Sequence, residues 1–199
     1  FGKVITELAD RDKKIIVLVG DIGYRVFDEY REKHPDRFIN LGICEQSMAS
    51  MAAGLAKEGF IPFVNTISTF LTRRCFEQIT VDLSLHDLPV KLIGNGGGLV
   101  YAPLGPTHQA IEDIGILRTL PNMTIVAPCD ADEMKRLMDA SLDWPQPLYI
   151  RLAKGGDTVV SRAEHGFEIG KGIELKKPGQ VLFVTTGITT QRALSATKA

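Results

Sequence analysis

One carboxylate in this sequence stands where it can take part in chemistry. Glu45 comes soon after the turn at residues 35–37 and opens a segment rich in small side chains, namely Ser47, Ala49, Ser50, Ala52, Ala53, Gly54 and Ala56. The pattern predicts a helix that another backbone can approach closely, with the carboxylate fixed in its first turn. A glutamate at this place also complements the helix dipole, for ~0.3–1 kcal/mol. Glu45 alone therefore leaves a structural and a catalytic role open.

A glycine-rich run at residues 94–98 is a second candidate for ligand contact. Successive backbone N–H groups in such a run can form an anion-binding concavity. The run does not match the dinucleotide pattern G-x-G-x-x-G, because Leu99 occupies the last position, and it lacks the lysine of a P-loop. A tight turn that lets a ligand approach the backbone explains the glycines equally well.

Segments with strand patterns alternate with segments of helical spacing along the chain. Residues 15–19 are a continuous apolar run rich in β-branched side chains, as expected for a strand buried on both faces. Further strands are predicted at residues 38–39, 61–64, 90–93, 123–127, 148–152 and 181–184, and helices at 1–8, 26–33, 46–57, 69–85, 111–120, 130–142 and 189–198. The alternation predicts an α/β fold, a mainly parallel sheet with helices on both faces.

Four loops follow predicted strands, at residues 20–24, 42–45, 66–70 and 94–108. In parallel sheets the carboxyl ends of the strands meet at one edge, and ligands bind there. The sequence therefore predicts that Glu45 and the glycine-rich run belong to one edge of the sheet.

Composition excludes several classes of protein. The chain has 199 residues and a formal net charge of -1, with acidic and basic residues mixed throughout, so neither a nucleic-acid footprint nor a polybasic membrane patch is indicated. No apolar run approaches the ~20 residues that span a bilayer. The three cysteines, Cys44, Cys75 and Cys129, lack metal-binding spacing, which predicts three reduced, buried thiols in a cytoplasmic protein.

The segment from Asp36 to Lys154 resembles the pyrimidine-binding domain of transketolase-like thiamine diphosphate enzymes. The motifs that carry the resemblance keep their order and spacing: Pro-Asp-Arg-Phe at 35–38, Gly-Ile-Cys-Glu-Gln at 42–46, Ala-Ala-Gly-Leu-Ala at 52–56, Ser-Thr-Phe-Leu at 68–71, Gly-Pro-Thr-His-Gln at 105–109 and Leu-Pro-Asn-Met at 120–123. Each motif is weak alone, and together they are specific. The resemblance gives a pyrimidine-binding domain at residues 1–158. A linker and the truncated start of the family's C-terminal domain, a second α/β domain, follow at 159–199.

The resemblance implies thiamine diphosphate as the cofactor and assigns roles around its aminopyrimidine ring. Glu45 matches the acid that touches this ring and activates the cofactor, and Phe70 matches the aromatic that stacks on it. Phe76 matches a second aromatic of the pocket, although simple packing explains it as well. His108 matches a histidine near the substrate carbonyl, where an imidazole can donate to a developing oxyanion.

Five further residues are candidate contacts with the cofactor or the substrate. Asp21, Ile22 and Arg73 match family positions, whereas Arg151 and Lys154 are candidates because they come at the end of the last strand of the domain. Asp21 matches an aspartate at the end of the first strand, and Ile22 would then face the thiazolium ring. Arg73 stands where 1-deoxy-D-xylulose-5-phosphate synthases carry arginine and transketolase proper carries an aromatic. Arg73, Arg151 and Lys154 are therefore candidate contacts for a sugar phosphate, and plain surface charges are the alternative.

The family's motif for the diphosphate and Mg²⁺ is missing from this chain. It reads Gly-Asp-Gly followed further on by Asn, and here Ile22 replaces the second glycine after Gly20 and Asp21. Gly96 and Leu104 also replace a histidine and an acidic residue of transketolase proper. We therefore expect half of an active site, with the Mg²⁺ ligands on a partner chain or another domain.

These features lead to one main hypothesis and three alternatives. The chain would be the pyrimidine-binding subunit of a split transketolase, acting with a diphosphate-binding subunit in a homodimer or heterotetramer and transferring a two-carbon ketol unit between sugars or sugar phosphates. The alternatives are a fragment of 1-deoxy-D-xylulose-5-phosphate synthase, the beta subunit of a 2-oxo acid dehydrogenase, and a non-catalytic binding module on the same fold.

Overall fold

The apolar run at residues 15–19 forms the strand β1 (Ile15–Val19), which is buried along its whole length. A computed structural model describes residues 1–197 of the chain. Five more strands complete a six-stranded sheet: β2 (Phe38–Asn40), β3 (Ile61–Ile67), β4 (Lys91–Asn95), β5 (Thr124–Val126) and β6 (Leu148–Leu152), in the order β2-β1-β3-β4-β6-β5. Every neighbouring pair is parallel, which confirms the predicted fold class.

Helices cover both faces of the sheet. One face packs against α1 (Gly2–Arg11), α2 (Asp28–Lys33) and α7 (Ala131–Ser141), through an apolar cluster that includes Leu8, Phe27 and Leu137. The other face packs against α3 (Glu45–Lys57), α4 (Ser68–Thr72), α5 (Phe76–Gln78), a π-helix (Ile79–Ser84) and α6 (Asp113–Leu117), through a cluster that includes Met48, Leu71 and Leu83. Burial on both faces explains why β1 carries no polar residue.

The helix predicted at residues 69–85 is wrong as a single element. It is divided into α4, a turn at 73–75, α5 and the π-helix. Side chains bond back to the preceding turn here: Thr72 Oγ1 donates to the Ser68 carbonyl at 2.8 Å, and Thr80 Oγ1 to the Phe76 carbonyl at 2.7 Å. Such bonds, and π-bulges, bend or interrupt helices. The predicted helices at 26–33 and 111–120 are also shorter, as α2 and α6.

The last segment is less regular than predicted. Residues 181–184 form no strand; their side chains are between 53% and 88% exposed, and the described chain gives them no neighbouring strand to pair with. The helix predicted at 189–198 is α8 (Thr189–Ala196), and Lys198 lies outside the described residues. Asp130 caps α7 and also accepts from the backbone of Val160 and Ser161, which ties the segment after β6 to the domain.

Candidate functional site

The carboxyl ends of β1, β3 and β4 lead into the loops that carry most of the predicted site residues. Glu45 is the first residue of α3, and only 1% of its surface is exposed. Its Oε2 accepts a hydrogen bond of 2.5 Å from Arg74 Nη1. Gly20, just after β1, makes room for this carboxylate, because a Cβ at Gly20 would lie 3.3 Å from Glu45 Cγ.

Arg74 joins Glu45 to the predicted aromatic. Its guanidinium carbon lies 4.4 Å from the centre of the Phe70 ring, which is a cation–π contact. The His108 ring meets the same phenyl ring edge-on, with 5.0 Å between centroids. We call Glu45, Phe70, Arg74 and His108 the edge cluster. The structure therefore brings together the three residues that the motifs singled out: Glu45 at the start of α3, Phe70 in α4 and His108 in the loop after β4.

Sequence reasoning missed Arg74. Arg74 stands four residues after Phe70, and side chains at this spacing meet on a regular helix. This spacing could have indicated that Arg74 contacts Phe70. The neighbouring Arg73 was predicted as the site residue instead, because it matches a family position. Arg73 Nε lies 2.8 Å from Glu112, and its Nη2 donates to the carbonyls of Pro106 and Thr107 at 3.1 Å. Arg73 thus lies against the loop that carries His108.

The loop at residues 105–110 is anchored on both sides of His108. Thr69 Oγ1 donates to the Thr107 carbonyl at 2.8 Å, and the Thr107 hydroxyl is 2.9 Å from His108 Nδ1. Ala110, two residues further on, pairs with Gly98 through two backbone hydrogen bonds of 2.7 and 2.9 Å. The imidazole is consequently held at the edge of the sheet beside Phe70.

Other predicted site residues lie apart from the edge cluster. Ile22 and Lys154 line a cavity of about 510 Å³, which also contacts Phe1, just before α1, and Met134 of α7. This cavity is therefore on the α1 and α7 face of the sheet, opposite the face that α3 covers. Asp21 has a left-handed backbone, with φ of 54°, and its N–H donates to Asn40 Oδ1 at 3.1 Å.

Phe76 and Arg151 have partners within the domain. Phe76 packs against the core on the α3 face. Arg151 Nε donates to Asp113 Oδ2 at 2.7 Å, and Arg151 Nη2 donates to the Ala110 carbonyl at 3.0 Å. Contact of Arg73, Arg151 and Lys154 with a substrate stays a prediction, as does contact of Asp21, Ile22 and Phe76 with a cofactor.

The glycine-rich run forms a tight turn and no open anion nest. The N–H groups of Gly96 and Gly97 both donate to the Leu152 carbonyl, and that of Gly98 donates to Ala110. These donors are engaged within the chain, so the anion-nest interpretation of the sequence is wrong. Side chains approach the run instead: a Cβ on Gly94 would lie 2.5 Å from the Tyr149 hydroxyl.

The described residues contain neither a metal-ligand cluster nor a membrane-spanning helix. Within residues 1–197, no three His, Cys, Asp or Glu side chains are grouped so that they could hold a metal ion. In the same range, no helix combines the length and the apolar character needed to cross a membrane.

The chain combines a parallel α/β sheet, covered by helices on both faces, with a buried acid, an aromatic ring and a histidine at its carboxyl edge, which is the edge where such sheets bind ligands. Residues 1–156 match the family model described as the pyrimidine binding domain of transketolase. The chain therefore belongs to this transketolase family.

Relatives of known name agree with this assignment. The chain is 34% identical to one subunit of the apulose-4-phosphate transketolase of Phocaeicola vulgatus, over 98% of this chain and 64% of that protein. It is 38% identical to a 1-deoxy-D-xylulose-5-phosphate synthase of Clostridium perfringens, over 98% of this chain and 32% of that protein. The chain thus spans less than two thirds of either relative.

The fold has a counterpart among solved structures. A split-gene transketolase, solved as an inactive β4 tetramer, superposes with a TM-score of 0.89 at 36% identity, covering 99% of this chain and 63% of that one. The superposition extends through the segment after β6, which the family model does not include.

Proposed function

We propose that this chain is the pyrimidine-binding part of a transketolase-like thiamine diphosphate enzyme that transfers a two-carbon ketol unit between sugars. The observation that supports it is the place of the Arg74 guanidinium between the Glu45 carboxylate and the Phe70 ring, which we call the slot. A flat cation that donates hydrogen bonds, the Arg74 guanidinium, lies there on the phenyl face and bonds to the carboxylate. An aminopyrimidine ring would need the same two contacts: an aromatic face on which it can stack and a carboxylate to which it can hydrogen-bond. The residues present therefore fit the cofactor.

Each member of the slot has a distinct task in this proposal. Thiamine diphosphate, when bound, supplies the nucleophilic carbon that takes up the two-carbon unit. Glu45 shares a proton with a nitrogen of the pyrimidine ring, and Phe70 covers the ring face. His108 donates a hydrogen bond to the oxyanion that develops on the substrate carbonyl, for which its place beside Phe70 is suitable.

The diphosphate and Mg²⁺ belong to a second chain or domain in this proposal. The support is the sequence after β1, where Ile22 interrupts Gly-Asp-Gly, together with the names of two similar proteins, one of them a transketolase subunit and the other a split-gene transketolase. The assembly would be a homodimer or a heterotetramer with a diphosphate-binding subunit. Residues 159–199 would begin the C-terminal domain that follows in the family.

A 1-deoxy-D-xylulose-5-phosphate synthase is the second candidate, because a protein of that name is 38% identical over nearly the whole chain. The two candidates differ in the donor substrate. A synthase consumes a 2-oxo acid and releases carbon dioxide, whereas a transketolase consumes a ketose and releases an aldose. Supplying each donor separately to the reconstituted enzyme distinguishes them.

The central experiment is substitution of Glu45 in the chain co-purified with a diphosphate-binding transketolase subunit. Glu45→Gln should lower turnover of ketose donors by ~10²–10⁴-fold, the usual contribution of a proton-transferring group. Glu58→Gln, at the exposed end of the same helix, is the matched control and should leave turnover unchanged. A loss of less than about threefold for Glu45→Gln would remove the acid from the mechanism.

Calorimetry on the separate chain tests the half-site part of the proposal. With thiamine diphosphate and Mg²⁺ added, the chain alone should show no sub-micromolar binding, whereas the complex should bind both. Tight binding by the isolated chain would mean that it carries a diphosphate site of its own.

A further inference from the structure

A buried polar cluster lies behind the loop that carries His108. Asp113, at the start of α6, is 1% exposed, and Tyr149 in β6 is fully buried. Asp113 Oδ2 accepts from the Tyr149 hydroxyl at 2.8 Å and from Arg151 Nε at 2.7 Å. Burial, followed by the charge of Asp113, raises the pKa of Tyr149 well above its ordinary value, so the hydroxyl keeps its proton. Replacing a buried ion pair by apolar groups often stabilises a protein, so fold stability is a weak explanation for this cluster.

Arg151 connects the cluster to the histidine loop. While its Nε is bound to Asp113, its Nη2 donates to the Ala110 carbonyl at 3.0 Å. The same carbonyl accepts from the N–H of Gly98 at 2.7 Å, so two donors fix the chain two residues after His108. Thr69 holds the carbonyl of Thr107, directly before the histidine. The imidazole therefore lies on a short span between two fixed points.

The glycine-rich run makes room for this arrangement. A Cβ on Gly97 would lie 2.7 Å from the guanidinium carbon of Arg151, and a Cβ on Gly94 would lie 2.5 Å from the Tyr149 hydroxyl. Any side chain at these two positions would displace the groups that bind Asp113. The glycines, the ion pair and the histidine loop thus form one unit across β4 and β6.

We propose that Asp113 and Arg151 are positioning residues for His108. Asp113 fixes the plane of the Arg151 guanidinium, and the guanidinium fixes the backbone of the loop at Ala110. The proposal rests on the proposed function for the substrate contact of His108, but the position of the ring is testable without substrate. In this proposal Arg151 has a structural role within the chain and does not bind phosphate, because two of its nitrogens already donate to Asp113 and to the Ala110 carbonyl.

The first test observes the histidine ring directly in the isolated chain. Long-range proton–nitrogen NMR spectra contain ring signals of four histidines, His34, His86, His108 and His165, and His108→Gln assigns the relevant one. Asp113→Asn and Arg151→Lys should shift or broaden the His108 signals and leave the other three in place. Tyr149→Phe, which removes a single hydrogen bond, is the milder variant should the others unfold.

Asp130→Asn is the matched control. Asp130 is also a buried carboxylate at the start of a helix. It accepts hydrogen bonds from Glu133, Val160 and Ser161, none of which belongs to the histidine loop. It should cost stability without moving the His108 signals. If Asp113→Asn and Tyr149→Phe fold and leave the His108 signals unchanged, the proposal is overturned.

The second test uses the reconstituted complex. A displaced histidine should lower kcat by about tenfold to a hundredfold in Asp113→Asn while KM for the sugar phosphate stays within about twofold. A rise in KM with unchanged kcat would make Arg151 a substrate contact and overturn the positioning role. A wild-type complex without turnover would count against the proposed function alone, because the NMR result still decides the position of the ring.

Discussion

Glu45 is a buried carboxylate whose charge is balanced by one flexible partner. Arg74 keeps 37% of its side chain exposed while it bonds to an acid that is 1% exposed. Solvent around the guanidinium weakens the attraction, but a buried charge left without a partner is costly. Removal of the guanidinium alone should therefore cost more than breaking a surface salt bridge, and less than breaking a pair in which both partners are fully enclosed.

Loss of Arg74 should consequently destabilise the isolated chain. Arg74→Ala is expected to lower the free energy of unfolding by about 1–2 kcal/mol, measured by urea denaturation, because Glu45 loses its counter-charge. Arg73→Ala is the matched control, since the side chains of Arg73 and Glu112 are 43% and 33% exposed and their pair is worth less. In the double variant with Glu45→Gln most of the loss should disappear. Equal losses for the two arginine variants would contradict this account.

The three thiols should differ sharply in reactivity. Cys75 and Cys129 are buried, whereas Cys44 is exposed just before α3, so its predicted burial is wrong. Burial, with the nearby charge of Glu45, raises the pKa of Cys75 to about 12, and burial with Glu133 raises the pKa of Cys129 further. Because the thiolate is the reactive form, a disulfide reagent at pH 8 should label one thiol quickly in the native chain and three after denaturation. Cys44→Ser should abolish the fast reaction, and a second fast thiol would contradict the burial.

The motifs predicted which residues lie at the site. They did not predict the contacts between those residues. Glu45, Phe70 and His108 were chosen from separate motifs. In the structure His108 contacts the Phe70 ring, and Arg74 links that ring to Glu45. Arg74 was not found, because its route to Glu45 depends on the turn at residues 73–75, and no local pattern indicated that break. The partners of Arg151 were also out of reach, since Asp113 lies 38 residues away and meets it only through the sheet.

At the level of elements, the strands followed from the sequence and the long helix did not. Apolar runs between polar turns predicted the six strands of the sheet within a few residues. The central strands are largely buried on both faces, so they have continuous apolar runs without polar alternation, while β2 and β5 are only partly buried. The segment at 69–85 has helical spacing throughout, and its interruptions come from Thr and Cys side chains that bond to the backbone. Residues 181–184 have a strand pattern, but the described chain offers no neighbouring strand to pair with them. A local sequence pattern does not show whether such a partner strand is present.

The strand β4 begins with a buried lysine. Lys91 is fully buried, and its Nζ donates to the Trp144 carbonyl at 2.7 Å. Burial lowers its pKa from 10.5 to about 8, although Asp143 acts in the opposite direction. Below pH 8 the folded chain therefore carries a buried ammonium that the unfolded chain holds in water.

This lysine should make stability depend on pH in the alkaline range. Between pH 8 and pH 10.5 the unfolded state binds the proton and the folded state does not, so stability rises with pH across that window. The gain, up to about 3 kcal/mol, should be absent in Lys91→Met. Urea titrations of both proteins at several pH values measure the difference between them, in which other titrating groups cancel. A constant difference from pH 7 to pH 10 would mean that Lys91 titrates normally.

At the scale of the whole molecule, α3 presents an unusual outer face. Its buried side packs on the sheet, and the exposed positions are Gln46, Ser47, Ser50, Met51, Gly54 and, in the last turn, Lys57. Val81 and Leu85 are 40% and 74% exposed beside it, and Ser50 bonds to Asp82 of the π-helix at 2.5 Å. Small side chains and scattered apolar groups suit close packing against another chain, and two-fold dimers are the commonest outcome.

A bulky charge on that face should therefore prevent assembly without harming the fold. A Cβ on Gly54 would meet nothing within 4 Å, so Gly54→Arg has room in the single chain. Gly115→Arg is the matched control, because Gly115 is also exposed, in α6, with open space around it. Light scattering should give an oligomer for the wild type and Gly115→Arg, and a monomer for Gly54→Arg. A monomeric wild type would mean that the α3 face serves another purpose.

The place of Arg74 also has a consequence for measured affinities. Under the proposed function the guanidinium and the cofactor ring compete for one slot, so the cofactor binds only the fraction of molecules in which the slot is open. The apparent dissociation constant equals the intrinsic one divided by that fraction, and a slot open one time in about a hundred weakens binding about a hundredfold. A partner subunit that draws Arg74 away would then strengthen cofactor binding without touching the cofactor. Assembly and cofactor loading would be thermodynamically linked, each favouring the other by the same factor.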